Sequence, residues 1–253
     1  MKTYLLTLSY DGTDFHGWQK QKDLPTVQAA VEESLARLLG QEVSVTASGR
    51  TDEGVHALGQ AVSFCCETPI PAASLPTALN PLLPPSIRAL ACEEREEGFC
   101  ARKTAKKKTY AYRFYVSDKD SPIFGRYALR IEKPLDLPLL QEACACLVGT
   151  HDFSQFYCTG SSAKTTVRTI YACSLSRHEG EGVTPDTYEF RICGNGFLYK
   201  MVRLLVSALL RINKGELSLA DFMTAVRLPS EGVKIKKIPA PPHGLFLESV
   251  EYI

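Results

Sequence analysis

The segment at residues 49–57, Gly-Arg-Thr-Asp-Glu-Gly-Val-His-Ala, brings three side chains capable of chemistry into one short stretch. Asp52 lies between two glycines, with Arg50 two residues before it and His56 four residues after it. A carboxylate held on a tight turn can act as a nucleophile or as a general base. It can equally cap the turn by accepting hydrogen bonds from its own backbone, so the residues alone leave both interpretations open.

The flanking residues predict that Asp52 lies on a connection between two β-strands. Residues 43–48 alternate apolar and polar side chains, as a half-buried strand does, and residues 61–64 are typical of a return strand. Gly49 and Gly54 allow backbone angles that other residues resist. A rigid sheet that carries such a turn is a suitable support for a catalytic carboxylate.

Seven segments of the chain, including residues 49–57, resemble in order the motifs of one family, the tRNA pseudouridine synthase A group. The other six are Tyr10-Asp-Gly-Thr-Asp-Phe-His-Gly-Trp-Gln19 and residues 99–110, 151–156, 168–170, 194–203 and 244–248. The resemblance extends from about residue 4 to the C-terminus. Chance does not produce matches along the whole chain in the same order.

The resemblance implies an isomerase that converts uridine to pseudouridine in tRNA, at positions 38–40 of the anticodon stem-loop. This reaction cuts the bond from ribose to N1 of uracil, turns the base and rejoins it through carbon 5. Because no atom is lost, we expect neither a cofactor nor a metal ion. Asp52 would start the cleavage, and the sequence leaves open whether it attacks the sugar, attacks the base or acts as a base on the sugar.

The resemblance also implies four supporting residues. Tyr110 falls at the position of the family's base-stacking tyrosine, and Arg203 matches the basic residue that pairs with the catalytic carboxylate. Arg50 would help to fill the gap left by the flipped nucleotide, and Leu245 resembles the apolar lid over the base. Pattern alone would instead favour a core aromatic for Tyr110 and a solvated helix face for Arg203.

Two further positions near these motifs are expected to play no part in the chemistry. His56 is four residues from Asp52, a spacing that aligns side chains on a helix but not on this turn, so we interpret it as structural. The family often has Phe-His-Ala-Arg where this chain has residues 99–102, Phe-Cys-Ala-Arg. Cys100 cannot supply the hydrogen bonds or the charge of an imidazole, which puts in doubt any RNA contact made by that side chain.

The composition is ordinary for a soluble globular protein. Hydrophobic residues make up 45% and charged residues 23% of the 253 positions. No apolar run approaches the roughly 20 residues needed to cross a bilayer, and the N-terminal apolar stretch alternates like a strand rather than like a signal peptide. The nine cysteines lack zinc-site spacing, so we expect reduced thiols in a cytoplasmic protein.

Positive charge is concentrated in two groups, although the formal net charge is only +1. The first group comprises Arg102, Lys103, Lys106, Lys107 and Lys108, and the second comprises Lys234, Lys236 and Lys237. A charge run is usually a solvated face, but in a tRNA enzyme both groups would follow the phosphate backbone. The resemblance also implies a homodimer with one tRNA across both subunits, which would double the positive surface.

Alternating strand and helix patterns predict an α+β fold of two similar domains, each a mostly antiparallel sheet with helices packed on one face. Residues 1–106 would carry the Asp52 loop, and residues 107–253 would complete an active-site cleft between the domains. The predicted strands cover residues 2–10, 87–92, 110–116, 171–176 and 188–192. The predicted helices run from a cap at Thr26 to a stop at Gly40, over residues 74–79, 139–147 and 197–212, and from a cap at Ser218.

Three other functions fit parts of this pattern. A paralogue could apply the same chemistry to another tRNA position or to ribosomal RNA, which only substrate mapping would reveal. An RNA-binding module could have lost catalysis, although the presence of Asp52, Tyr110 and Arg203 argues against it. A metal-dependent hydrolase could use Asp52, His56 and Asp14, but their spacing does not suggest converging ligands.

Overall fold

The computed structural model describes residues 1–160, 163–230 and 233–252. Its fold is α+β, and the strands within each of two compact units are mostly antiparallel. The first unit contains Met1–Lys106 and the segment from Phe246 onward, and the second contains Lys107–Leu245. Among the described residues, no helix is both long enough and apolar enough to cross a membrane.

Among the described residues, the first unit contains five strands, which are numbered along the whole chain. They are β1 (Lys2–Tyr10), β2 (Thr46–Ala47), β3 (His56–Cys66), β4 (Ile87–Arg95) and β10 (Leu245–Glu251). Their order is β4-β1-β3-β10, with β2 also paired to β3. These pairs are antiparallel except for β10, which runs parallel to β3. The bounds expected for β1 are those observed, whereas β4 continues three residues beyond its expected end at Cys92.

The C-terminal segment lies in a different unit from the one to which the sequence analysis assigned it. Residues 246–253 were expected to complete the second domain, and Ile253 lies outside the described residues. The segment belongs to the first unit because its backbone pairs there, with Phe246 opposite His56 and Leu247 opposite Ala57. A pairing between residues so far apart in sequence leaves no local pattern from which it could be inferred.

One face of the first sheet is packed as a core. The alternate residues of β1 that were predicted to share a face, Tyr4, Leu6, Leu8 and Tyr10, are at most 3% exposed. Helix α1 (Val27–Leu39) buries Val27, Val31, Ser34 and Leu35. Helix α2 (Leu75–Leu79) is short and follows a 3₁₀ turn at Ala72–Ser74. Burial of these apolar stripes is the main force that forms the unit, at about 25 cal/mol per Å² of apolar surface.

The caps of α1 are those that the sequence predicts. The Thr26 hydroxyl accepts a hydrogen bond from the Ala29 N–H at 3.4 Å, which satisfies one of the donors left unpaired in the first helical turn. Gly40 has φ of 66° and donates its N–H to the Ala36 carbonyl at 2.9 Å. A glycine adopts this left-handed conformation without a Cβ penalty, so the helix ends there.

The strand expected at residues 43–48 is much shorter in the structure. Only Thr46 and Ala47 pair, with Ser63 and Val62 of β3. Val43 and Val45 are nevertheless buried at 7% and 4% exposure, so the alternating pattern was a true signal of half-burial. The alternation of apolar and polar residues correctly identified the buried side chains. It did not show how many residues pair with a neighbouring strand.

The strands of the second unit also pair in a mostly antiparallel arrangement. Its strands are β5 (Lys107–Val116), β6 (Leu129–Ile131), β7 (Gly149–Asp152), β8 (Val167–His178) and β9 (Thr187–Gly194). The order is β5-β9-β8-β7, and β6 pairs in parallel with β5. Strands β6 and β7 were not predicted, because segments of three or four residues are too short to show a period.

In the described part of the second unit there are three α-helices, α3 (Leu137–Leu147), α4 (Met201–Asn213) and α5 (Leu219–Arg227). The rings of Phe153, Phe156 and Phe222 form a chain of edge-on contacts, with centroids 6.3 Å and 5.7 Å apart, and all three are fully buried. Helix α5 begins at the predicted cap, where the Ser218 hydroxyl accepts from the Asp221 N–H at 3.0 Å. This unit therefore has a core of its own.

Helix α4 begins later than the apolar period predicts. The period includes Phe197, but the helix starts at Met201 because Lys200 adopts a left-handed conformation with φ of 59°. A non-glycine residue in this region costs roughly 1 kcal/mol. The chain changes direction at Lys200, and this turn fixes the residue at which α4 begins.

All nine cysteines are free thiols, and four of them are buried. Burial raises the pKa of Cys92 to about 12 and that of Cys146 to about 11, which favours the protonated thiol at both positions. The buried cysteines thus pack as small hydrophobes.

Candidate active site

Asp52 lies in the connection between β2 and β3. Its carbonyl accepts a hydrogen bond from the Val55 N–H at 3.1 Å, which closes a tight turn. Gly54 is the third residue of this turn and has φ of 72°, a conformation that strains any residue with a Cβ. The Asp52 side chain is half-buried and the neighbouring Arg50 is exposed. The turn expected from the glycine spacing is therefore present and leaves the carboxylate partly accessible.

The segment that begins after β1 holds this turn in place through its backbone. The Trp18 N–H donates to the Thr51 carbonyl at 3.0 Å, and the Gly54 N–H donates to the Phe15 carbonyl at 3.4 Å. These hydrogen bonds lie on either side of Asp52 in sequence. Main-chain hydrogen bonds thus fix the loop that carries the Asp52 carboxylate.

Two glycines allow this close approach. A Cβ at Gly12 would lie 2.7 Å from the carbonyl carbon of Val55, and a Cβ at Gly17 would lie 2.8 Å from the carbonyl oxygen of Thr51. Real Cβ atoms do not approach backbone atoms so closely, so no other residue fits without moving the loop. The segments at residues 10–19 and 49–57 thus pack directly against each other through their backbones. The sequence analysis did not predict this contact.

Replacing Gly12 with alanine is therefore expected to displace the Asp52 loop and to lower kcat by about 10- to 100-fold. The added methyl group would overlap the Val55 carbonyl, which is backbone and cannot rotate away. The matched control is Gly125→Ala, because the nearest atom to a Cβ there is the Tyr115 hydroxyl at 3.4 Å. Steady-state kinetics and thermal melting of both variants test the expectation. Equal kcat values for the two would contradict it.

His56 is engaged in structural contacts at the start of β3. Its ring is 1% exposed and stacks on Phe246, with centroids 4.8 Å apart. Nδ1 accepts a hydrogen bond from the Gly12 N–H at 3.0 Å, and Asp11 Oδ1 lies 3.2 Å from the same nitrogen. These contacts support the structural interpretation of His56, because they tie β3 to the segment that holds the Asp52 loop.

Tyr110 lies on β5, opposite Ile192 of β9. Its side chain is 8% exposed, and its ring meets Phe197 edge-on with centroids 5.1 Å apart. Phe197 comes from the residues that precede α4, so this pair joins the strand to the start of that helix. The ring orientation of Tyr110 is thereby fixed from one side by an aromatic edge, a geometry that aromatic pairs prefer.

Arg203 lies in the first turn of α4 and is fastened to a distant stretch of chain. Its Nε donates to the Ala240 carbonyl at 2.7 Å, and the Ala240 N–H donates to the Arg203 carbonyl at 3.0 Å. Tyr112 reinforces the same stretch, because its hydroxyl donates to the Pro241 carbonyl at 2.8 Å. Burial raises the pKa of Tyr112 above its ordinary value, and the positive charge of Arg203 opposes that shift.

Leu245 is buried, with 6% of its surface exposed. It follows Gly244, where a Cβ would lie 2.8 Å from the Tyr112 ring. The glycine therefore lets the chain pass over Tyr112 and places Leu245 at the start of β10. Leu245 was identified by resemblance. The contact between Gly244 and the Tyr112 ring was not predicted.

The lysines of the two basic groups differ in exposure. Lys106 is exposed, whereas Lys107 and Lys108 are half-buried at the start of β5, and Lys107 Nζ lies 5.9 Å from the Tyr171 ring. The second group is exposed at all three positions, which are Lys234, Lys236 and Lys237. Exposed ammonium groups keep their hydration and remain accessible to a phosphate backbone.

The structure thus places Asp52 and Arg50 in the first unit and places Tyr110, Arg203 and Leu245 in the second. Their roles stay predictions. In the described part of the chain, no group of three or more histidine, cysteine, aspartate or glutamate side chains is arranged to hold a metal ion.

A protein-family model described as tRNA pseudouridine synthase matches residues 7–110 and 143–253. The chain belongs to this family. The first matched region of the tRNA pseudouridine synthase model contains Asp52 and Tyr110, and the second contains Arg203 and Leu245.

Curated relatives agree with the family assignment over the full length of the chain. A protein named tRNA pseudouridine synthase A from Thermoanaerobacter sp. (strain X514) is 36% identical over 252 residues and covers 100% of both chains. One of the same name from Acetivibrio thermocellus is 39% identical over 252 residues, again covering 100% of both. A solved structure of a Cbf5-Nop10-Gar1 complex aligns with 80% of this chain and 53% of that chain at 11% identity, but its TM-score of 0.31 carries no argument.

Proposed function

We propose that this chain isomerises uridine to pseudouridine at positions 38–40 of the tRNA anticodon stem-loop, with Asp52 as its catalytic carboxylate. The observation that carries the proposal is the setting of Asp52. It lies within the region matched by the family model, on a turn that Trp18 and Phe15 hold by backbone hydrogen bonds on either side. A carboxylate fixed in this way can act without first being ordered by substrate.

The reaction needs one group to start cleavage and a pocket that retains the freed base. The bond between C1′ and N1 breaks, a bond between C1′ and C5 forms, the C5 hydrogen leaves as a proton and N1 gains a proton. Substrate and product contain the same atoms, so the chemistry needs no electron acceptor and no metal ion. Asp52 supplies the starting group, as a nucleophile on the sugar or base or as a base on the sugar.

The remaining roles follow from the types and positions of four residues. Tyr110 stacks on the flipped uracil, which contributes about 1–3 kcal/mol, and Leu245 covers the base. Arg203 pairs with the carboxylate and orients it. Arg50, two residues before Asp52, fills the gap left by the flipped nucleotide. The hydrogen bond from Arg203 to Ala240 supports this assignment because it fixes the orientation of the guanidinium plane.

The tRNA is recognised mainly by its shape and its phosphates, and the enzyme works as a cytoplasmic homodimer. The lysines that contact phosphate are Lys106, Lys107, Lys108, Lys234, Lys236 and Lys237. The near-zero net charge of one chain supports dimerisation, since two copies double the positive surface that one tRNA meets. Light scattering of the protein alone and with tRNA tests the dimer.

The affinity for tRNA is expected to fall steeply with salt, with a slope that depends on the lysines. Removing Lys234 and Lys236 together, each as glutamine, should reduce the slope of log affinity against log salt by about one for each lysine. Both side chains are exposed, so stability should change little. The control is the pair Lys119→Gln and Lys133→Gln, which are also exposed and remove the same charge outside both basic groups. Filter binding at several salt concentrations measures both slopes. Equal slopes for the two double variants would contradict the proposed phosphate contacts of Lys234 and Lys236.

Tritium release from tRNA that carries [5-³H]uridine tests the proposed reaction directly, because only the exchange at C5 frees the label. Release that persists with excess chelator would support isomerisation without a metal. No release from bulk tRNA would overturn the tRNA assignment and favour ribosomal RNA or an RNA-binding role without catalysis. Loss of release with chelator would instead favour metal-dependent chemistry.

A further inference from the structure

Gln60 forms the centre of a buried polar cluster beneath the Asp52 loop. It lies on β3 and its exposure is 0%. The Ser48 hydroxyl donates to Gln60 Oε1 at 2.8 Å, and Gln60 Nε2 donates to the Gly49 carbonyl at 2.8 Å. Nε2 also lies 3.4 Å from the Tyr10 hydroxyl. Both the oxygen and the nitrogen of the amide are thus used.

The cluster reaches the far side of Arg50 through Tyr10. The Tyr10 and Thr51 hydroxyls are 2.8 Å apart, and their residues are 3% and 6% exposed. Burial raises the pKa of Tyr10 to about 12, so the phenol keeps its proton and can donate it. Gln60 is therefore tied to Gly49 directly and to Thr51 through one hydroxyl.

We propose that Gln60 is a positioning residue for Asp52: its amide fixes the Gly49 carbonyl and, through Tyr10, the Thr51 side chain, so that Arg50 and Asp52 are held at their working positions. The inference rests on the proposed function, and it adds a residue that neither touches substrate nor belongs to the nine-residue motif. Its role is to remove freedom from the chain immediately before the carboxylate.

The chemistry of the cluster requires an amide at this position. Gln60 must accept a hydrogen bond from Ser48 and donate one to the Gly49 carbonyl, and in a dry interior the loss of either partner is destabilising. A carboxylate could still accept from Ser48 but would face the Gly49 carbonyl as a second acceptor. Without the hydrogen bond from Gln60, the Gly49 carbonyl can rotate, and the Asp52 loop that follows it changes position.

The variants that separate positioning from stability are Gln60→Met, Gln60→Glu and Tyr10→Phe. Methionine keeps the size and removes both hydrogen bonds, glutamate removes only the donor, and phenylalanine breaks only the link to Thr51. Because a displacement of about 1 Å can cost about 100-fold, we expect kcat to fall by about 10- to 100-fold for Gln60→Met, with KM within about threefold of wild type. Tyr10→Phe should show a smaller loss of the same kind.

The Gln60→Glu variant provides a signature that a purely structural residue would not give. Burial raises the pKa of a carboxyl group, and the protonated form can donate to the Gly49 carbonyl as the amide does. Its kcat relative to wild type should therefore rise as the pH is lowered from about 8.5 to about 6. A relative kcat that is flat across this range would argue against the proposed hydrogen bond.

The matched control is Ser34→Ala. Ser34 is also a buried polar residue of the first unit, at 3% exposure, and its hydroxyl donates to the carbonyls of Ala30 and Leu82 at 2.8 Å and 3.1 Å. It has no bond to the Asp52 loop, so it should lower the melting temperature without changing kcat at a temperature where the protein is folded.

The outcomes distinguish the inference from the function on which it rests. If wild type releases no tritium from tRNA, the proposed function fails and the role of Gln60 falls with it. If wild type is active and Gln60→Met melts earlier but retains full kcat, the function stands and Gln60 is only a core residue. A selective loss of kcat, absent from Ser34→Ala, would establish the positioning role.

Discussion

Asp52→Ala is expected to lower kcat for tritium release from tRNA by about 10³-fold or more, because no other group replaces the carboxylate that we propose starts glycosidic cleavage. Stability and tRNA affinity should stay near the wild-type values. The bonds that shape the loop are made by main-chain groups of Thr51, Asp52 and Gly54, which the substitution leaves in place. Single-turnover kinetics, thermal melting and filter binding measure the three quantities.

The adjacent carboxylate supplies the control for this variant. Glu53 follows Asp52 directly, and its side chain is 72% exposed. Glu53→Gln removes the same charge from the same turn, so any effect of charge on the loop or on RNA approach appears in both variants. We expect full activity for Glu53→Gln. Equal losses for the two would mean that the turn needs negative charge in general and that Asp52 has no special role.

Arg203→Met is expected to lower kcat by about 10²- to 10³-fold, as the loss of one preorganised charged donor does in other sites. Arg203→Lys should recover only part of this loss. Lysine keeps the charge, but its ammonium group lacks the planar Nε–H that donates to the Ala240 carbonyl at 2.7 Å.

Arg211 allows a test of whether the effect belongs to Arg203 or to any arginine of this helix. It lies on α4 two turns later, and its guanidinium donates to the Glu216 carbonyl at 3.3 Å. Arg211→Met should affect melting more than kcat. If both variants lost kcat equally, the loss would come from α4 as a whole, and the pairing role of Arg203 would be wrong.

The sequence predicts best those elements whose signal is local. Strand β1 and helix α1 have clear periods, and α1 also has a threonine at one end and a glycine at the other. Strand β10 was missed because its position depends on a parallel pairing with β3, in which Phe246 lies opposite His56 far away in the sequence. The two-residue β2 shows the same limit, since a buried alternating segment forms a ladder only where a partner strand is available.

For the candidate site, motifs identified the side chains and the structure explains how they are held. Asp52 and Arg203 were found by resemblance, but the supports were not. Gly12 and Gly17 act through the absence of a Cβ, and Gln60 acts on a carbonyl eleven residues earlier in sequence. In each case the group that is contacted is a backbone carbonyl. Every residue has such a carbonyl, so the sequence does not show which one a given side chain or glycine will meet.

The place of β10 in the first sheet determines the order in which this protein can fold during synthesis. His56 rests against Phe246, and the Lys106 N–H donates to the Glu251 carbonyl at 2.8 Å. The ribosome makes Phe246 and Glu251 only after all of Lys107–Leu245. The unit that carries Asp52 is translated first but must wait for these residues, whereas the second unit can already be folding. A nascent chain stalled before Phe246 would therefore carry Asp52 on an unfinished sheet.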